Sequence, residues 1–112
     1  APADRREALA AAGATVRVTG EERVDLVSLC ETLADDGTNR LMVEGGGELI
    51  SSLFEAGLVD RLSVFVGPTV IGGRDAPTLV DGEGFVESFP ELRLDGVERL
   101  DGGVLLEWTV IG

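Results

Sequence analysis

The sequence holds no histidine, no lysine and a single cysteine, Cys30, among its 112 residues. Without an imidazole, every Ser-His and Cys-His nucleophile arrangement is excluded. One Cys and no His can build neither a disulfide nor a zinc site, so no metal centre is expected. No stretch approaches the ~20 apolar residues of a membrane-spanning helix, and no signal-peptide pattern precedes the first helix. The chain opens Ala-Pro-Ala without a methionine, as a trimmed or processed start would. Positive charge is scarce too: the nine basic residues are all Arg, against 21 Asp and Glu, for a net charge of −12. That balance leaves no basic patch for phosphate backbones, and neither DNA nor RNA is expected as a partner.

What is present suffices for one compact domain with a core, since 44% of the residues are hydrophobic. Two readings fit the acidic surplus. One is an ordinary acidic protein of a GC-rich genome. The other is a halophilic protein, in which dense carboxylates keep the surface hydrated while salt screens their mutual repulsion. Cys30 falls on an apolar helical face with Leu26, Leu29 and Leu33, as a small buried hydrophobe would.

The stretch Leu41–Gly57, LMVEGGGELISSLFEAG, organises the rest. Leu41, Met42 and Val43 form an apolar run of the buried-strand kind, and Glu44 stands at its end. Gly45-Gly46-Gly47 makes a tight turn. Leu49, Ile50, Leu53 and Phe54 then recur at helical spacing, and Gly57 closes the helix. The first turn of a helix carries backbone N–H groups without internal partners, at the positive end of its dipole. Three glycines remove the Cβ atoms that would hold a ligand away. Such a turn can cradle a phosphate or pyrophosphate. It can equally serve close strand–helix packing alone, because it is neither a dinucleotide-binding nor a P-loop signature.

Around that unit the pattern alternates. A helix is expected over Ala3–Ala12, a strand over Ala14–Thr19, and a helix over Leu26–Ala34 capped by Asp25. Strands are expected over Arg40–Val43 and Arg61–Val66. Thr69–Gly84 is a long glycine-rich loop, either functional or merely a surface connection. Leu92–Leu100 and Val104–Ile111 flank Asp101-Gly102-Gly103, a β-hairpin signature. Alternating helices and strands predict a parallel sheet, which the hairpin makes mixed. Few strands are supplied for a covered α/β sheet, so a missing N-terminal half or a partner chain is expected to cover an open edge.

The run VEGGGELISSLFEAGLVDRLSVFVGPTVIGG from Val43 to Gly73, followed by DAPTLVDGEG, resembles the reductase domain of riboflavin biosynthesis. That family comprises the reductase half of bacterial bifunctional deaminase–reductases and the stand-alone ribosylamino-pyrimidinone 5′-phosphate reductases. The likeness runs from about Val24 to Trp108. It implies a dihydrofolate-reductase-like α/β fold, a mixed sheet with flanking helices and a C-terminal antiparallel hairpin. Family members carry a long further stretch before this point, so residues 1–112 read as a single domain that is the C-terminal portion of a reductase, incomplete at its N-terminus. The implied activity is NADPH-dependent reduction of a ribosylamino-pyrimidine 5′-phosphate to its ribitylamino form, in a cytoplasmic homodimer. By the same resemblance Gly45, Gly46, Gly47, Glu48, Leu49 and Ile50 would hold the NADPH pyrophosphate, with a cis peptide between Gly45 and Gly46. Glu44 would orient the substrate or assist proton delivery; as a bare residue it could equally make backbone contacts at the helix start. Arg74 is a candidate phosphate contact or a solvated loop arginine. Two alternatives remain: another dihydrofolate-reductase-like reductase, and a non-catalytic nucleotide-binding or oligomerisation module.

The charge generates a first expectation. The melting temperature should rise as salt is raised from about 0.05 M to about 2 M, because screening removes carboxylate repulsion. A flat or falling melting temperature, read by circular dichroism, would leave only the ordinary acidic protein.

Overall fold

The computed structural model describes all of residues 1–112 and resolves into two units, Ala1–Arg40 and Leu41–Gly112. In the first, α1 spans Ala3–Ala11 and α2 spans Leu26–Asp35. Strong helix formers make α1, with Pro2 just ahead of it. The side chain of Asp25 caps α2 by accepting the Ser28 N–H at 3.0 Å. The apolar stripe of α2 is half-buried rather than buried, and Cys30 with it. Arg17 forms an ion pair with Asp36, tying the segment after α1 to the end of α2.

The second unit holds α3 (Gly47–Glu55), β1 (Arg61–Val66), β2 (Leu92–Leu100) and β3 (Gly103–Val110). All three helices of the chain stop in the same way. The N–H of the closing glycine and that of the next residue return to carbonyls of the last turn; at α3 these are Gly57 to Phe54 and Leu58 to Leu53, both 3.0 Å. Gly57 takes φ +67°, the left-handed conformation this stop requires.

The sheet is three-stranded and wholly antiparallel, in the order β1-β3-β2. Asp101 (φ +47°) and Gly102 (φ +82°) make the tight β2–β3 turn, whose paired positive φ angles match the twist of the strands. Gly103 leaves room for the Phe65 ring, which lies 2.5 Å from where a Cβ would stand. Leu62 and Leu94 flank Trp108 from the two sides, and Val64 and Val97 flank Leu106, so one sheet face is apolar. Asp95 is the extra residue of a bulge between Leu94 and Gly96; it accepts from the Thr109 hydroxyl and from Arg93.

The expected strands over residues 14–19 and 40–43 do not form, and the parallel part of the sheet is absent. A strand exists only where a neighbour accepts and donates its ladder hydrogen bonds, and no segment of this chain pairs with either. The run Leu41–Val43 is accordingly exposed, Met42 at 80%. The tightest packing in the chain lies on α3, where Leu53 is 7% exposed and Ser51 2%.

Asp25 offers a pH test. Hydrogen bonding from the Ser28 backbone lowers its pKa below the ordinary 3.8. A lowered folded pKa stabilises above the ordinary value, and that contribution is lost as pH falls through the lowered one. Between about pH 6 and about pH 2, the Ser28 amide should lose hydrogen-exchange protection, and Asp25→Asn, an equally good cap that does not titrate, should abolish the dependence. An identical acid profile in Asp25→Asn would contradict the cap.

Candidate functional site

The head of α3 is built from five residues in succession. Glu44 ends the apolar run; its side chain is exposed and makes no hydrogen bond or ion pair. Gly45 takes φ +119°, a conformation that side-chain-bearing residues rarely adopt. The peptide bond between Gly45 and Gly46 is cis, as expected. Gly46 is the N-cap residue; its φ of −80° and ψ of −173° are ordinary extended backbone. Its carbonyl accepts the first helical bond, from the Ile50 N–H at 3.1 Å.

The N–H groups of Gly47, Glu48 and Leu49 therefore have no helical partner, and no side chain caps them. They stand at the positive end of the α3 dipole with only the exposed Glu48 carboxylate in the same turn. Leu49 is exposed on that turn, while Ile50 turns its Cδ1 beneath it, 3.8 Å from where a Gly45 Cβ would stand. The six residues singled out for a cofactor are thus contiguous, with Glu44 directly before them.

The glycines of the turn face different things. A Cβ on Gly46 would meet no atom within 4 Å, so that side of the turn is open. A Cβ on Gly47 would fall 2.2 Å from the Asp81 carboxylate and 2.7 Å from the Thr78 carbonyl oxygen. Gly47 is glycine because another segment of backbone occupies its flank. That segment is the end of the long loop, Thr78–Gly82. The Asp81 N–H donates to the Gly47 carbonyl at 3.1 Å. The Asp81 carboxylate accepts from the Thr78 N–H at 3.1 Å and from the Thr78 hydroxyl. One residue on, a Cβ at Gly82 would lie 2.7 Å from the Oγ of Ser51, the most buried polar side chain of the chain.

The sequence leaves this loop either functional or a surface connection, and singles out none of Thr78, Asp81 and Gly82. The signal was present: Thr78-Leu-Val-Asp81-Gly82 spaces two turn-forming side chains three apart before a glycine. Arg74 lies in the exposed part of the loop and forms no ion pair. A cleft of about 540 Å³, lined by Phe54, Phe85, Phe89 and Pro90 among others, lies at the other end of α3 and includes none of the expected site residues.

The turn passes the physical test for an anionic group. It offers free amides, an open flank at Gly46 and a helix dipole of the right sign.

Comparison with known proteins follows the same lines. Residues 1–106 match the family model described as the RibD C-terminal domain. Over 90 residues the chain is 51% identical to the 2,5-diamino-6-ribosylamino-4(3H)-pyrimidinone 5′-phosphate reductase of Archaeoglobus fulgidus, covering 80% of this chain and 40% of that one. Over 102 residues it is 46% identical to the protein of the same name from Methanothermobacter thermautotrophicus, covering 88% and 47%. The chain thus spans about half the length of the relatives it matches. Among solved structures, a pyrimidine reductase-like protein from Corynebacterium diphtheriae superposes with a TM-score of 0.81 at 21% identity, over 97% of this chain and 44% of that one. Acinetobacter baumannii RibD superposes with a TM-score of 0.78 at 23% identity, over 95% and 29%. The α/β fold expected from the sequence is the fold these structures share with the chain, with three helices and the antiparallel part of the sheet formed within it.

Proposed function

This chain belongs to the RibD C-terminal domain family, and on that premise we propose that it is the C-terminal portion of an NADPH-dependent reductase of riboflavin biosynthesis. The substrate is a ribosylamino-pyrimidine 5′-phosphate and the product its ribitylamino form. The observation that carries the reading is the head of α3, with free amides on Gly47, Glu48 and Leu49 and an open flank at Gly46. It is supported by relatives named as pyrimidinone phosphate reductases.

In this reading Gly45, Gly46 and Gly47 let the pyrophosphate approach the backbone, and the free amides of Gly47, Glu48 and Leu49 meet it at the positive end of the helix, while the Ile50 amide closes the first helical bond to Gly46. The nicotinamide, when bound, supplies hydride to the first ribose carbon of the open imine form. Glu44, exposed at the edge of the turn, orients the substrate or delivers the proton that the imine nitrogen takes up. The pyrophosphate meets no Arg or Lys side chain in the turn, so the attraction comes from backbone dipoles. A net charge of −12 opposes an anionic cofactor at long range, and high salt screens that repulsion to within ~10 Å or less.

The same proposal takes in the working form of the protein. It is a halophilic homodimer of the cytoplasm, a compartment in which the unpaired Cys30 stays reduced. Support for self-association is the free outer edge of β1 and of β2, together with the exposed apolar run Leu41–Val43.

Two substitutions in the whole protein test the assignment. Gly46→Val fills the open flank, so it should abolish NADPH binding while the circular dichroism spectrum stays folded; unchanged affinity would sink the turn as a cofactor site. Glu44→Gln should lower kcat by about 10² or more with little change in NADPH affinity. Unaltered turnover would remove Glu44 from the chemistry.

A further inference from the structure

The Thr78–Gly82 segment of the long loop has a role the cofactor reading leaves open. Resting on that reading, we propose that Thr78 and Asp81 are positioning residues: they clamp Gly47 on the flank opposite the open one and so fix the direction of the Gly47, Glu48 and Leu49 amides. Three observations carry this. The Asp81 N–H holds the Gly47 carbonyl at 3.1 Å, so the loop is bonded to the turn itself. The would-be Cβ of Gly47 is met by the Asp81 carboxylate and by the Thr78 carbonyl, so the loop leaves no room for a side chain on that flank. The close approach of Gly82 to Ser51 seats the same segment one helical turn further along α3.

The Thr78 side chain gives the clamp its chemical sense. A carboxylate beside a helix N-terminus is itself a ligand for the free amides and would compete with a phosphate there. Here one oxygen of the Asp81 carboxylate, Oδ1, is held within its own loop by the Thr78 N–H and hydroxyl, while Oδ2 lies against the flank of Gly47. Thr78 thus fixes the carboxylate on the flank of the turn rather than over its amides, and the same bonds shape the loop end so that the Asp81 N–H reaches the Gly47 carbonyl.

The bonds made by Asp81 need an acceptor oxygen, not a charge, and this separates the variants. In the whole protein, Asp81→Ala removes the bonds to Thr78 that shape the loop end, and should raise the Kd and KM for NADPH about tenfold, leaving kcat and the KM for the pyrimidine substrate within about twofold. Asp81→Asn retains the Oδ1 acceptor and should restore the wild-type values. Thr78→Val, which removes one hydroxyl, should shift the NADPH constants in the same direction by a smaller factor. Hydrogen exchange at the Gly47, Glu48 and Leu49 amides gives a readout independent of any cofactor, and it should be faster in Asp81→Ala and normal in Asp81→Asn. If wild type binds NADPH and Asp81→Ala alters neither exchange nor affinity, the clamp is wrong and the cofactor reading stands. If Asp81→Ala raises exchange but wild type does not bind NADPH, the cofactor reading is wrong and the positioning role falls with it.

Discussion

The head of α3 depends on one steric constraint: Gly47 has no side chain, and a backbone segment from more than thirty positions later in the chain occupies the space a Cβ would need. A methyl group there would collide with both the Asp81 carboxylate and the Thr78 carbonyl, and the Asp81–Gly47 hydrogen bond could not form. One flank of the turn is closed by the loop, and the Gly46 side is open. The constraint also explains why the long loop is not merely a surface connection. Its last residues pack on the helix that contains Ser51 and Leu53, the two most buried side chains of the chain.

The second constraint is hydrogen-bond pairing of strands. The antiparallel sheet is complete where the chain supplies neighbours: β3 lies between β1 and β2, with a two-residue turn at one end and an Asp95 bulge near the other. Where the chain supplies none, an apolar run stays unpaired however strand-like its residues. Leu41, Met42 and Val43 place the glycine turn in sequence but contribute no ladder to hold it. Within this chain the turn is held instead by its own helix and by the loop clamp. This is why Thr78 and Asp81 carry so much of the geometry at the site.

Local chemistry was legible in the sequence and long-range contacts were not. The three helices, the Asp25 cap, the glycine stops and the Asp101-Gly102 turn are written in residues adjacent to one another, and each is found where those residues stand. The unusual Gly45–Gly46 peptide came from resemblance to a family rather than from any rule of local propensity. The strands at 14–19 and 40–43 failed because strand propensity describes a residue's fit to a sheet and cannot supply the neighbouring strand. The clamp was missed because nothing in the Gly45–Gly47 triplet tells which glycine faces a ligand and which faces protein. That distinction exists only once residues 78–82 have folded back.

The most direct test of the cofactor site is a titration of the whole protein with NADPH at about 2 M salt, followed both by nicotinamide fluorescence and by the backbone amide resonances of residues 45–50. Saturable binding in which the Gly47, Glu48 and Leu49 amides shift together with the fluorescence is the expected result. Absence of binding by the folded protein, or saturation that leaves those amides unmoved, would contradict the assignment of the α3 head as the place where the pyrophosphate is held.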